Sequence, residues 1–218
     1  MKCVALLSSG IDSPVACYSL SHCVDSLVFV HADNRPFTDD RDIKNTIELA
    51  RKLDEIMDVS MKLYLVPHGE MLEEISRSSP QRYTCVLCKR MMLRYADMIC
   101  EQESADAMIM GDSLGQVASQ TLQNIRVVDQ VTRVPVLRPL IGWDKEEIIN
   151  LAKKIGTFDL SISPSEACKA VPNKPATRAK REKIEEIEHD LSFEFIVKKL
   201  VSGARILSAQ DFDSFSDL

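Results

Sequence analysis

The chain has 218 residues, 45% of them hydrophobic and 28% charged, with a formal net charge of -6. This is the make-up of a globular protein with enough chain for one well-buried domain, and with only 7 Gly and 9 Pro and no internal repeat it excludes low-complexity and solenoid architectures. An acidic balance also argues against a protein that grips nucleic acid across a broad basic face, so any RNA contact is expected to be local or shared with a partner.

The opening Met1-Lys2-Cys3-Val4-Ala5-Leu6-Leu7 turns polar at once. Its apolar run is too short for a signal-peptide core or a membrane span, so the expectation is a cytoplasmic protein that does not enter a membrane. Seven cysteines in that setting point to thiols, a metal or redox chemistry, not to a disulfide framework.

In chain order, residues 4–7 read as a strand that runs into a polar, Gly-containing loop. A helix over 14–22 follows, and then the β-branched and aromatic run 26–30, a buried strand by composition. Residues 39–58 carry the helical period through Ile43, Ile47, Ala50, Leu53 and Met57. The third strand is expected at 62–66 and a short helix at 69–76. A longer helix over 88–102 has Met91, Met92, Tyr95 and Ile99 as its stripe. Strands at 107–110 and 136–140 precede a helix over 144–155, with Asp144 as its cap and Gly156 as its stop. Residues 177–190 are highly charged, 193–200 form a weaker helix, and the acidic tail 208–218 is expected to fray.

Alternating strands and helices predict an α/β fold, a doubly wound parallel sheet covered on both faces. The organisation expected is a nucleotide-binding domain over 1–190 with a helical extension and acidic tail over 191–218. Ligands in such sheets bind at the carboxyl ends of the strands, near the point where strand order reverses.

Ser8-Ser9-Gly10-Ile11-Asp12-Ser13 lies at such an end, between the first strand and the first helix. Backbone N–H groups of a small-residue turn at a helix N-terminus bind anions, and the Ser8, Ser9 and Ser13 hydroxyls add donors. Asp12 would repel phosphate unless it acts through a Mg²⁺ ion shared with the phosphates. The plainer alternative is that Asp12 or Ser13 only caps the helix. The Gly-Lys-Ser/Thr ending of a Walker loop is absent.

Cys85-Val86-Leu87-Cys88 stands at the start of the long helix, and Cys168 lies in Ser165-Glu166-Ala167-Cys168-Lys169, next to a second expected loop-to-helix passage. Cys3, Cys17 and Cys100 fall inside apolar patterns and read as small core residues; Cys23 is left open. A closed zinc site wants four ligands. Three thiolates suit an iron–sulfur cluster with one iron left open, or a pair plus a separate catalytic thiol, or three uninvolved thiols.

The loop resembles the S-G-G-x-D-S loop of ATP pyrophosphatases, which cleave ATP between its α and β phosphates, with Ser9 in place of the usual first glycine. His31 to Thr38 (His-Ala-Asp-Asn-Arg-Pro-Phe-Thr), Cys85-x-x-Cys88-Lys89-Arg90, Gly111-Asp112-Ser113-Leu114-Gly115-Gln116 through Gln120-Thr121-Leu122, Leu137-Arg138-Pro139-Leu140, the Asp144-Lys145-Glu146 helix start and Cys168 extend the match. Together these resemble the catalytic domain of the tRNA 4-thiouridine synthetase (ThiI) family, over roughly residues 2–190. That resemblance implies an adenine nucleotide alpha hydrolase-like fold and an ATP-dependent sulfurtransferase. A uracil carbonyl oxygen is a poor leaving group until it carries a phosphoryl ester; adenylylation supplies one, and sulfur then displaces AMP.

By motif match, Ser8, Ser9, Gly10, Asp12 and Ser13 hold phosphates, His31 lies near the adenosine, and Gly111, Gln116 and Gln120 close over the nucleotide. Asp12 and Cys168 are the catalytic candidates, and Cys85, Cys88 and Cys168 match the archaeal-type set that holds a [4Fe-4S] or [3Fe-4S] cluster. Asp112 stands where the family commonly has Glu. These 218 residues include no rhodanese domain and no N-terminal RNA-binding domain. Contact with tRNA is therefore expected through a homodimer or a separate RNA-binding chain, with a sulfur donor protein or sulfide as the source of sulfur. The basic residues Lys169, Lys174, Arg178, Lys180, Arg181 and Lys183, with Arg77, Arg82, Lys89, Arg90 and Arg94 around the cysteine pair, suit local phosphate contacts or a solvated face. Two other readings stand beside this one: an enzyme that thiolates or amidates a small molecule, and a sulfur or cluster carrier that keeps only the nucleotide fold.

Overall fold

A computed structural model describes residues 1–191 and 193–212. Strand β1 (Lys2–Leu6) leads into helix α1 (Asp12–Ser19), β2 (Ser26–Asp33), α2 (Asp40–Ile56), β3 (Ser60–Pro67) and α3 (Gly69–Ser78). The chain continues through α4 (Thr84–Glu103), β4 (Ala107–Ile109), α5 (Leu122–Asp129) and β5 (Val136–Leu137). It ends with α6 (Lys145–Lys154), the single turn α7 (Phe158–Ser161), α8 (Arg181–Asp190), α9 (Phe193–Ser202) and β6 (Arg205–Ser208).

The strands form one sheet in the order β5-β4-β1-β2-β3-β6, parallel except for β6, which runs antiparallel to β3. Alternation along the strands divides the core in two. Val4, Val28, Val30, Tyr64, Val66 and Met108 face the side covered by α4, α5 and α9. Cys3, Ala5, Leu27, Phe29, Leu63 and Ile109 face the side covered by α1, α2 and α6. Both faces are thus dry, which is why the strands read as continuous apolar runs. Cys3, Cys17 and Cys100 are buried in these cores, whereas Cys23 is exposed.

All five expected strands form, and β5 is the shortest because Pro139 follows it and the chain turns back through Ile141 N–H to Arg138 O at 3.1 Å. The sheet departs from an all-parallel one at β6, where Leu207 is the one buried residue of four; so short a run carries no readable alternation. The capping box at Asp144 and the positive φ of Gly156 (75°) bound α6 as expected. Helix α4 begins at Thr84, so the cysteine pair lies inside its first turns. No helix follows Cys168 before Arg181: Pro172 and Pro175 keep the intervening segment irregular, and the expected loop-to-helix passage is not there. Ser208 begins a capped single turn with Asp211, and the rest of the acidic tail, residues 213–218, lies outside the described residues.

Strand order reverses at β1, which has β2 on one side and β4 on the other. The crevice expected of such a sheet therefore opens at the carboxyl ends of β1 and β4.

Candidate functional site

Leu7 extends β1 by donating to Val30 O (3.0 Å), and the chain then turns through Ser8, Ser9, Gly10 and Ile11 into α1. The turn is held by its own hydroxyls. Ser8 N–H donates to Ser13 Oγ (2.9 Å), the Ser8 and Ser13 hydroxyls share a 3.0 Å hydrogen bond, and Gly10 N–H reaches Ser8 Oγ (3.3 Å). Ile11 provides no side-chain cap, so the first N–H groups of α1 remain for an external acceptor, aided by the helix dipole. Asp12 and Ser13 are therefore not caps. Ser9 has no positive φ, so serine costs no backbone strain there, and its hydroxyl donates to Asp42 Oδ1 (2.5 Å).

Gly111, just beyond β4, closes against this turn. A Cβ on Gly111 would lie 2.7 Å from Ser13 N and 2.8 Å from Asp12 C. Only glycine permits so close an approach of two backbones.

Between these segments lies a cleft of about 560 Å³, lined by Ser8, Ser9, Gly10, Asp12, Ser13, His31, Gly111, Gln120 and Cys168 among others. Gln116, expected beside them, is not part of its lining; it follows the left-handed Gly115 (φ 75°). A larger cavity of about 710 Å³ between α4, α5, α8 and α9 is walled by Arg90, Arg94 and Glu188, which already satisfy one another. Volume does not locate the site; unmet hydrogen bonds do. Asn34 Oδ1, Thr38 Oγ1, Gln120 Oε1 and Ser161 Oγ are buried without hydrogen-bond partners, as is His31 Nε2, which has Asp42 Oδ2 at 3.6 Å, and all five residues line the smaller cleft. Buried polar atoms normally have partners, so a group of orphans marks the place of a polar ligand. The His31 ring is held by its other nitrogen, with Nδ1 3.0 Å from Leu7 O and 3.3 Å from Thr46 Oγ1.

Two charge groups frame the cleft. Asp12 pairs with Lys145 at the start of α6. Asp112, with only 5% of its surface exposed, takes Lys89 Nζ at 2.7 Å, Arg138 Nε at 3.0 Å and Gln120 Nε2 at 3.3 Å. Burial alone would raise the Asp112 pKa, but the Lys89 and Arg138 charges outweigh it and hold the carboxyl below its usual range. Asp112 is thus a fixed anion that aims Lys89 at the cleft. The sequence assigns no role to Lys145, Asp42 or Arg138, and reads Lys89 only as one of the basic residues around the cysteine pair. Lys145 carried a usable signal, because a cation in the first turn of a helix opposes the dipole and implies an anion nearby.

Cys168 opens onto the cleft, and the loop carrying it is tied to the segment after β2 by Lys169 N–H to Phe37 O (2.9 Å). Burial raises its pKa, opposed by the backbone N–H groups of Ala170 and Val171, which favour the thiolate. Cys85 and Cys88, three residues apart in α4, do not line the cleft but lie near enough to feel the charge of Cys168. Burial, reinforced by Cys168, pushes both thiols up. Cys88 Sγ is 3.3 Å from His68 Nε2, and burial lowers the His68 pKa to about 4. Among the described residues no three His, Cys, Asp or Glu side chains converge at metal-binding distance, so the three cysteines form a neighbourhood and not a closed ligand set. No described helix is long and apolar enough to cross a membrane.

Comparison with known proteins narrows the fold to a family. A probable tRNA sulfurtransferase of Methanothermobacter thermautotrophicus is 46% identical over 192 residues, which is 88% of this chain and 49% of that protein. The crystal structure of a 4-thiouridine synthetase–RNA complex with bound ATP superposes with a TM-score of 0.89 at 34% identity, covering 94% of this chain and 54% of that one. The chain therefore spans about half the length of these relatives. An NMN synthetase from Francisella tularensis (TM-score 0.56, 15% identical, 87% of this chain and 76% of that one) shares the fold alone. The model of the family described as thiamine biosynthesis protein (ThiI) matches residues 1–193. The chain is a member of the ThiI family, with the α/β nucleotide fold of the ATP pyrophosphatases.

Proposed function

We propose that this chain is an ATP-dependent sulfurtransferase that adenylylates a carbonyl oxygen of a tRNA uridine and replaces it with sulfur. The observation that carries the reading is the single cleft joining the Ser8–Ser13 turn, the unpartnered polar atoms and Cys168. Its relatives, a probable tRNA sulfurtransferase and an RNA- and ATP-bound 4-thiouridine synthetase, support the choice of substrate.

In this reading the N–H groups of Ser9 and the first turn of α1 bind the phosphates of ATP, and the Ser8 and Ser13 hydroxyls and the Gly10 N–H hold the turn that presents them. His31, Asn34, Thr38 and Gln120 offer their unpaired atoms to the rest of the nucleotide. Gly111 keeps β4 against the turn, whereas Gln116, outside the lining, is left to a closing movement of the segment that carries it. A Mg²⁺ ion fits the partly exposed Asp12 carboxylate, one acidic ligand being enough when phosphates supply others, and would neutralise charge on the departing pyrophosphate. Lys145, released from Asp12 in that event, is placed to meet a phosphate. Lys89, held by Asp112, puts a cation in the lining of the cleft, where it would stabilise charge on the phosphates.

The uridine oxygen attacks the α-phosphorus and pyrophosphate leaves. Hydrosulfide beside Cys168 then attacks the ring carbon that bears this oxygen, the carbon–oxygen bond breaks, and AMP leaves with the oxygen. The donor set of three thiols, two on one face of a helix and one on the facing loop, fits an iron–sulfur cluster. Cys85, Cys88 and Cys168 would hold it, and its open iron would carry sulfide. The sulfur source is sulfide or a donor protein, and the reaction takes place in the cytoplasm.

The test is incubation of tRNA with the protein, ATP and sulfide under anoxic conditions, read as near-ultraviolet absorbance of the thiolated nucleoside. Pyrophosphate release with a small acceptor and no thiolated tRNA would replace the reading. Anaerobic iron and sulfide analysis tests the cluster: Cys85→Ala should lose iron, and stoichiometric zinc in the parent protein would contradict it.

A further inference from the structure

His68 lies outside the cleft, yet its ring is among the most constrained in the molecule. It is completely buried at the carboxyl end of β3, where its N–H donates to Asp33 O and its C=O accepts from Leu72 N–H, both at 2.9 Å. The next residue, Gly69, fixes the chain further, since a Cβ there would lie 1.7 Å from Arg35 O. The imidazole packs edge-on against Tyr95, with centroids 5.8 Å apart at 68°. Tyr95 and Cys88 are seven residues apart on α4, two turns along the same face. The buried ring is thus packed beside Cys88, whose Sγ is 3.3 Å from Nε2.

The other nitrogen settles the direction of the hydrogen bond. Nδ1 is buried without a partner. A neutral imidazole has one N–H, and burying it unpaired at Nδ1 would cost about 1–3 kcal/mol. With the proton on Nε2, the orphan is only a lone pair, and the sulfur gains a donor. A thiol can reciprocate, but an anionic sulfur can only accept. Among the described residues, Cys85 Sγ makes no hydrogen bond, so the two sulfurs of the pair are unlike.

We infer that His68, as its Nε2–H tautomer, is a positioning residue that donates a hydrogen bond to the Cys88 sulfur, both in the free protein and when that sulfur is bound to iron. This rests on reading Cys88 as part of the sulfur-handling set. Such a bond withdraws charge from the sulfur, and for an iron-bound thiolate it raises the reduction potential.

The experiment has two arms on the full chain. In the first, the reduced, iron-free protein carries ¹⁵N-histidine, and two-bond ¹H–¹⁵N spectra assign the His68 tautomer; Nε2–H is expected, and Nδ1–H overturns the inference. In the second, wild type, His68→Leu, His68→Gln and Cys88→Ala are loaded anaerobically with iron and sulfide, and their midpoint potentials and iron contents are measured. His68→Leu should have a lower potential than wild type, and His68→Gln, which restores an N–H at similar reach, should move it back. Equal potentials in all three overturn the inference while Cys88→Ala still loses iron. Should Cys88→Ala keep wild-type iron and potential, the ligand reading fails, and the tautomer alone decides whether the hydrogen bond exists.

Discussion

Replacing Gly111 by alanine separates the geometry proposed for the nucleotide turn from the mere presence of its residues. The added Cβ would sit 2.7 Å from Ser13 N and 2.8 Å from both Asp12 C and Ser13 Cα. Relaxed carbon contacts lie at about 3.5–4.0 Å, so β4 and the turn must part by roughly 1 Å. All three obstructing atoms are backbone, and the Ser8–Ser13 hydrogen bonds hold them, so no side chain can swing aside. Overpacking of this kind costs about 1–3 kcal/mol, or roughly 2–4 °C of melting temperature per kcal/mol at this chain length. A displacement of about 1 Å at a reacting centre costs on the order of 100-fold in rate. Gly10→Ala is the control: its nearest neighbour would be Ser8 Oγ at 3.5 Å, an ordinary contact, and Gly10 has no positive φ. ATP–pyrophosphate exchange and thermal unfolding should show Gly111→Ala impaired in both and Gly10→Ala unchanged in melting temperature. Wild-type exchange and stability in Gly111→Ala would refute the close packing of β4 on the turn.

Further outcomes follow from the charges and thiols. Cys168→Ser should abolish thiolation yet leave ATP–pyrophosphate exchange within about 10-fold of wild type, measured in parallel on one preparation. Asp112→Asn leaves Lys89 without a carboxylate and Arg138 with Asp129 alone, and should cost up to about 3–5 kcal/mol in denaturant unfolding. Lys145→Ala should weaken ATP binding by about 10-fold in calorimetry, with little change in stability because both partners of its pair with Asp12 are partly exposed. Glu103, 12% exposed, would be raised by burial, but its bonds from Lys2, Lys62 and Tyr64 bring its pKa from 4.5 down to about 2. A depressed carboxylate contributes fully above its unfolded pKa and loses that contribution as pH falls through the folded value. The contribution is at most about 3 kcal/mol, so melting curves between about pH 5 and 2 should fall less steeply for Glu103→Gln than for wild type.

Much of the framework was legible because burial on both sheet faces writes itself as apolar runs. Val4, Val28 and Phe29 belong to such runs, and the turn from Ser8 to Ser13 lies where β1 ends. Strand β6 was not legible, since one buried Leu207 in four residues makes no pattern. Nor was the irregular path after Cys168, although Pro172 and Pro175 argued against a helix there. The partners of Asp112 come from α4 and the end of β5, 23 and 26 residues away, and no local pattern encodes such pairs. Gln116 shares a motif with Gln120, but only Gln120 lines the cleft. Residues in one string were read as one site, and not all of them line it.

The central claim is that one cleft both splits ATP and installs sulfur in tRNA. Nucleoside mass spectrometry of tRNA incubated anoxically with the protein, ATP and sulfide tests it most directly. The account predicts a thiolated uridine that requires ATP and disappears with Asp12→Ala and with Cys168→Ser. Unmodified tRNA in the wild-type reaction, with AMP and pyrophosphate still formed on a small acceptor, would contradict it.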